Sequence, residues 1–357
     1  MKDIWKNICL LVVVLILGLV VAEVSVRVFL PTRLLDYKYD EEIGIRYLPD
    51  TSYQFISGFD EFSVTNTYNS KGLRGKEFSY EKNEVNRILG LGDSFTFGYG
   101  VEDDETYLSL LGENLGEYEI INAGLSGYGP QHILKFLKKE GMKYNPDKVL
   151  IALYIGNDIG SQGQELFSIE NGVLVDKTLP KASFSLQVRQ YLAHKLVLYN
   201  YLHLIKFRLD VNAGKVNPYT PEVYPFLLDE ETLNNGFSFF QEIMKEMKNY
   251  LDNKGVELTV IIIPTKEQVS EEFMESFKEK IKEVYDKPDS VLENLGNLDV
   301  LHTRLLLFLE EEGIEHIDLL PVFKKLDEDL YFPIDSHLNV KGHEATAIIV
   351  AKHLKVP

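Results

Sequence analysis

The chain has 357 residues, enough for one large core, with 55 acidic side chains against 37 basic ones and a net charge of -18. That acidic excess is spread along the sequence and repels phosphate backbones, and no basic strip interleaved with aromatics is present, which argues against nucleic-acid binding. The single cysteine, Cys9, excludes an intrachain disulfide and a cysteine-based zinc site.

The first element is an uncharged apolar run from Ile8 to Ala22, resumed after Glu23 as Val24-Ser25-Val26-Arg27-Val28-Phe29-Leu30. A helix of roughly 20 residues spans a hydrocarbon core when its flanking charges lie near the interface. A cleaved signal peptide is the rival, but its site, Val20-Val21-Ala22, leads into another apolar stretch rather than a polar mature start. An uncleaved anchor over residues 8–30 is therefore expected. Lys2 and Lys6 precede it while Arg27, Arg33 and Lys38 follow, so charge orients it only weakly. The expected topology is N-terminus inside and the bulk of the chain extracytoplasmic.

Residues 31–84 carry short aromatic segments such as Tyr53-Gln54-Phe55-Ile56 and Phe62-Ser63-Val64-Thr65, and read as a stalk and small strand-bearing lead-in. From residue 85 to 357 apolar strands alternate with amphipathic helices. Strands are expected at Arg87 to Leu91, Tyr118 to Asn122, Lys148 to Tyr154, Glu257 to Ile263 and Glu315 to Leu319. Helices are clearest at Thr106 to Leu115, Gln131 to Gly141, Thr232 to Lys254, Glu271 to Tyr285 and Lys341 to Leu354. The runs at 149–153 and 258–263 are too continuously apolar for a sheet with a wet face, so a parallel sheet covered by helices on both sides is predicted. An insertion at about 160–233 interrupts the alternation with one long helical stretch, Leu186 to Leu209, and a proline-bearing loop through Pro218, Pro221 and Pro225. It reads as an added helical layer, a cap over the cleft, or a surface facing a membrane or partner.

The most informative segment is Gly92-Asp93-Ser94-Phe95-Thr96-Phe97-Gly98, which places Ser94 just after the first apolar strand. Alone it is an ordinary turn and helix cap. Serine is a poor nucleophile without a general base and a group to hold that base. The pair Asp335 and His337, in a loop before the last helix, supplies both: the carboxylate can take the Nδ1 proton and leave Nε2 for Ser94. Oxyanion donors are available after two other strands. Gly127, in Asn122-Ala123-Gly124-Leu125-Ser126-Gly127, can turn a backbone N–H inward, and Asn157 can offer a side-chain amide. Asp93 is expected to support the nucleophile turn through backbone contacts. Ends of parallel strands on one edge are where α/β folds place their sites.

These four ordered blocks resemble those of the SGNH/GDSL hydrolase superfamily over most of residues 85–355. The resemblance implies a three-layer α/β/α, flavodoxin-like SGNH hydrolase fold with about five parallel strands. It also implies Ser94 as nucleophile, His337 as base, and Ser94, Gly127 and Asn157 as oxyanion donors. Two departures stand out: Asp335 precedes His337 by two residues where three are usual, and Gly156 is adjacent to Asn157 rather than one residue removed. A membrane-anchored subset and the acyltransferases that decorate extracellular polysaccharides look similar in the closer acid spacing.

The expected activity is therefore serine-dependent hydrolysis of a short-acyl or O-acetyl ester on an envelope glycan or lipid. O-acetyl transfer to extracellular polysaccharide is the alternative, and a non-catalytic envelope carbohydrate-binding protein a third. The expected partners are an acyl-ester substrate such as an O-acetylated glycan, and the membrane through the first helix. No phosphate loop, dinucleotide motif, calcium loop or His-Glu-x-x-His zinc site is present, so no cofactor or metal is expected. His343 and His302 read as packed or solvent-facing, Thr96 as structural, and His132 as a residue that can line the cleft.

Overall fold

The computed structural model describes the whole chain except residues 1, 31–33, 58–60, 83, 160–165, 216–223, 327 and 356–357. Pro218 and Pro221 of the expected loop, and part of the 160–233 insertion, lie outside the described residues.

The centre is a five-stranded sheet. Its strands, Asn86–Leu91, Tyr118–Asn122, Lys148–Tyr154, Glu257–Ile263 and Glu315–Asp318, fall within a residue of the positions that apolar runs mark. Every neighbouring pair is parallel. Numbered in chain order, the strands lie 2-1-3-4-5, the flavodoxin-like arrangement. The order reverses between Asn86–Leu91 and Lys148–Tyr154, and the segments that leave their carboxyl ends carry Ser94 and Asn157.

Alternation along each strand sends side chains to two separate helical layers. Ile88, Leu150, Ala152 and Ile261 pack with Tyr107, Leu108 and Leu111 of Tyr107–Leu115 and with Ala347 and Val350 of Val340–Leu354. Leu89, Val149, Ile151 and Val260 face the other way, onto Pro130–Lys139, Glu230–Asp252 and Asn297–Glu311. The last of these helices was not among those that the sequence marked most clearly. Burial on both faces is why the inner strands Lys148–Tyr154 and Glu257–Ile263 carry no polar alternation.

The lead-in forms two antiparallel hairpins, Tyr37–Asp40 with Gly44–Tyr47 and Thr51–Ile56 with Ser63–Tyr68. Ile43, Tyr47, Tyr68 and Leu73 join the same apolar cluster as the sheet. The insertion begins with a further hairpin, Phe167–Glu170 with Val173–Asp176, turned by Asn171 and Gly172, both at positive φ. That Asn-Gly pair is a two-residue turn signal readable in sequence.

One expectation is corrected in the insertion. The single helical stretch from Leu186 to Leu209 is two helices, Phe184–Lys195 and Val197–Asn212, broken at Leu196, which is extended. The break is held by capping: the Glu23 carboxylate accepts the N–H groups of Val197 and Leu198, each at 2.9 Å. Asn200 Nδ2 donates to the carbonyls of Ala193 and Leu196.

At the N-terminus a 28-residue helix, Lys2–Phe29, stands largely uncovered. Within its stretch Ile4–Phe29 an 18-residue window reaches a mean hydropathy of 2.9, and the helix is long and apolar enough to cross a membrane.

Candidate active site

Strand Asn86–Leu91 delivers the chain to Gly92, and Asp93 then caps a one-turn helix, Ser94–Phe97, by accepting the Phe95 N–H at 2.9 Å. Ser94 opens that helix with little exposure. The last turn is held from the lead-in: the buried Arg74 donates to the carbonyls of Phe97, Gly98 and Val101, pairs with Asp103 at 2.7 Å and stacks on Phe97. One guanidinium thereby satisfies carbonyls that the end of a helix leaves open.

Opposite stands the loop that precedes the final helix. Tyr331 and Leu338 bridge across it, and Phe332 N–H donates to the His337 carbonyl at 2.8 Å, closing a tight excursion over 332–337. His337 Nε2 lies 2.7 Å from Ser94 Oγ, and Nδ1 bonds the Asp335 carboxylate. Tyr99 stacks on the imidazole with ring centroids 4.3 Å apart, and Phe95 borders it at 4.8 Å. Ser336, the one residue between acid and histidine, has φ 75°. Left-handed backbone is uncommon for a residue other than glycine.

The loop is also gripped from the lead-in. The Glu61 carboxylate accepts the N–H of Ile334 at 2.8 Å and of Asp335 at 2.7 Å, while Phe62 packs on Phe332. On the other side Lys266 Nζ donates to the Pro333 carbonyl at 2.9 Å, and Tyr331 OH to Pro264 at 2.6 Å. Sequence reasoning missed Glu61, Arg74 and Tyr99. The aromatics flanking Glu61 were visible as a strand signal, but nothing local joins that hairpin to residue 335.

Gly127 and Asn157 face one cavity. Gly127 has φ +83° and open space where a Cβ would stand, and it lines a cavity of about 840 Å³ together with Asn157. Tyr39, Tyr128, Leu179, Phe239 and Phe240 make its walls largely apolar. His132 lines it too, as its place behind the second block suggested; burial pushes this imidazole down to about 4, so it is neutral. Asn157 Nδ2 donates to Asp93 at 3.3 Å, which leaves the amide a second N–H.

Beneath the site two carboxylates are buried together. Asp158 accepts the Tyr154 N–H at 2.8 Å, and burial, reinforced by the charge of Asp93, raises its pKa well above the usual 3.8. Burial raises Asp93 as well, opposed by the Phe95 N–H and by His337. His343 is fully packed, accepts the Tyr107 N–H on Nδ1, and is pushed down to about 3 by burial. His302 is buried against Gln268 and Asp318. Among the described residues no cluster of histidine, cysteine and carboxylates is suited to a metal ion.

Comparison with known proteins gives a partial family match. Residues 226–356, which contain Asp335 and His337 but not Ser94, match the model of an SGNH hydrolase-like domain, acetyltransferase AlgX. No curated protein matches the chain. Solved structures that resemble it include a member of the lipolytic protein G-D-S-L family from Veillonella parvula, with 12% identity over 76% of this chain and 100% of that one, at a TM-score of 0.39. A lipase/acylhydrolase from Enterococcus faecalis has 14% identity over 76% and 96%, at 0.38. A catalytic mutant of an acetylxylan esterase from Geobacillus stearothermophilus has 12% over 78% and 98%, at 0.39. The family match over the C-terminal segment and the 2-1-3-4-5 parallel sheet together give this chain an SGNH/GDSL-hydrolase-like fold.

Proposed function

We propose that the chain is a serine-dependent acyl-ester hydrolase using Ser94, His337 and Asp335, anchored by its first helix with residues 85–357 outside the cytoplasm. The observation that carries this reading is the run of hydrogen bonds from Asp335 through His337 to Ser94, joining groups 243 residues apart in sequence.

His337 Nε2 takes the proton of Ser94 as Oγ bonds to the ester carbonyl carbon, and Asp335 holds the imidazole in the tautomer that leaves Nε2 free. The resulting oxyanion faces the N–H groups of Ser94 and Gly127 and the Asn157 amide. Each such donor contributes about 3 kcal/mol of transition-state stabilisation in comparable sites. Collapse breaks the bond to the leaving alcohol, which receives the proton from His337. A second oxygen nucleophile, deprotonated by the same imidazole, then bonds to the acyl carbon; the bond from that carbon to Ser94 Oγ breaks, and His337 returns the proton to Oγ. Water completes an esterase and a sugar hydroxyl an O-acetyltransferase. The match of residues 226–356 to a model named for an acetyltransferase favours keeping the second acceptor in view, with an O-acetylated envelope glycan as donor or product.

Labelling by a serine-directed fluorophosphonate tests the chemistry. Native protein is expected to label and to hydrolyse a short acyl ester, and Ser94→Ala to do neither while keeping its melting temperature. Folded native protein that neither labels nor hydrolyses would overturn the proposal. Acetate release that stays constant as glycan hydroxyls are added assigns the hydrolase; diversion of acetyl onto the glycan assigns the transferase.

A further inference from the structure

We propose that the hairpin of helices Phe184–Lys195 and Val197–Asn212 lies on the surface of an anionic lipid bilayer, beside the point where the anchor helix emerges. This goes beyond the acyl-transfer reading and is independent of it, resting only on the anchor.

The hairpin buries little of itself. Only Ala193 and Val197 are buried among its described side chains, whereas Phe184 is 81% exposed, Tyr191 64% and Leu209 62%, with Leu202, Ile205 and Phe207 also open. Large apolar side chains left uncovered over two adjoining helices mark a surface that meets something.

Charge says what that is. Residues 177–215 hold seven lysines and arginines and one carboxylate, Asp210, in a chain whose net charge is -18. Two copies of so basic a surface repel one another, while anionic headgroups attract it. Apolar side chains entering the acyl boundary with basic ones reaching phosphates is the composition of a helix lying in an interface, and tyrosine is enriched at that depth.

Position gives the depth. Glu23 caps the second helix of the hairpin, and Arg27 Nη2 donates to the Lys195 carbonyl at 2.5 Å. Among the described side chains of the anchor only Ala22, Glu23 and Val26 are half-covered, so the hairpin meets its C-terminal turns and does not run beside it. From Ile4 to Glu23 the helix rises about 29 Å, the thickness of a hydrocarbon core. The capping carboxylate therefore stands where hydrocarbon gives way to headgroups, and it holds the hairpin at that level.

Nitroxide labels on the full chain test this, one protein per lipid nanodisc containing phosphatidylglycerol. The native Cys9 reports the anchor. In a Cys9→Ser background, Phe184→Cys, Leu202→Cys and Ile205→Cys report the hairpin, and Ile348→Cys, exposed on the final helix, reports water. The expected result is oxygen accessibility at the three hairpin sites several-fold above that at 348, with accessibility to a water-soluble nickel chelate several-fold below it. Hairpin labels open to the chelate, with Cys9 in lipid, would overturn the proposal and leave the anchor standing. Labels closed to both reagents would also overturn it, since protein would then be covering the surface. Cys9 open to the chelate would remove the anchor on which the inference rests, and with it the inference.

Discussion

Glu61 does for the acid loop what no residue near it in sequence can do, since its two oxygens take the N–H groups of Ile334 and Asp335 and fix where the Asp335 carboxylate and His337 stand. Charge-assisted bonds of this kind contribute about 1.5–3 kcal/mol each, and small displacements of a base cost rate steeply. Glu61→Ala is therefore expected to lower kcat for ester hydrolysis about 10- to 100-fold with KM nearly unchanged, while Glu61→Gln, which keeps one acceptor oxygen, recovers much of the loss. Steady-state kinetics on the two variants beside their melting temperatures checks it; a Glu61→Ala enzyme with native kcat defeats the assignment. Ser94, Asp335 and His337 were legible in sequence because each sits in a short block with its own turn chemistry. Glu61 and Arg74 were not, because their partners are more than twenty residues away and no periodicity links them. The two-residue acid spacing, read as a departure, still lets the Asp335 carboxylate bond His337 Nδ1.

At the scale of elements, the three inner strands were legible because burial on both faces leaves nearly uninterrupted apolar runs, and the ends of all five strands moved by no more than one residue. The break at Leu196 was not, because the carboxylate that caps the following helix comes from Glu23, far away in the chain. Between elements a very close fit lies at the helix Ser94–Phe97. A Cβ on Gly124 would stand 2.3 Å from the Phe97 nitrogen and 2.6 Å from the Thr96 carbonyl carbon, both backbone atoms. The loop after Tyr118–Asn122 and the helix Ser94–Phe97 therefore share a contact with no room for a methyl group. Gly124→Ala is expected to destabilise the fold by about 1–3 kcal/mol, as overpacking does. It should also lower hydrolysis in the fraction that remains folded, because the strain falls on the turn carrying Ser94. Denaturant titration paired with rates per folded molecule measures both; native activity per folded molecule would show that the turn absorbs the methyl without moving.

For the molecule as a whole, buried titratable groups make stability depend on pH in two opposed ways. Asp93 and Asp158 have raised pKa values, so the folded state holds protons that the unfolded chain has released, and stability falls as pH climbs above 3.8. His132 and His343, lowered to about 4 and about 3, stay neutral where the unfolded chain is protonated, so stability falls as pH drops below 6.5. Asp158→Asn keeps an acceptor for the Tyr154 N–H and removes the buried charge. The variant is expected to melt above the native protein at pH 8, with the difference shrinking to nothing below about pH 4. Melting curves across that range decide it, and equal values at pH 8 would mean that Asp158 is not held against its charge.

The grip of the lead-in on the acid loop also sets an order in time. Glu61 and Asp335 are 274 residues apart, so a chain made from its N-terminus completes the sheet's first three strands and the serine turn long before the other half of the clamp exists. Contacts at such separation form late because the intervening loop must first be ordered. Ser94 thus waits without its hydrogen-bond partner His337 until all five strands of the sheet have been made.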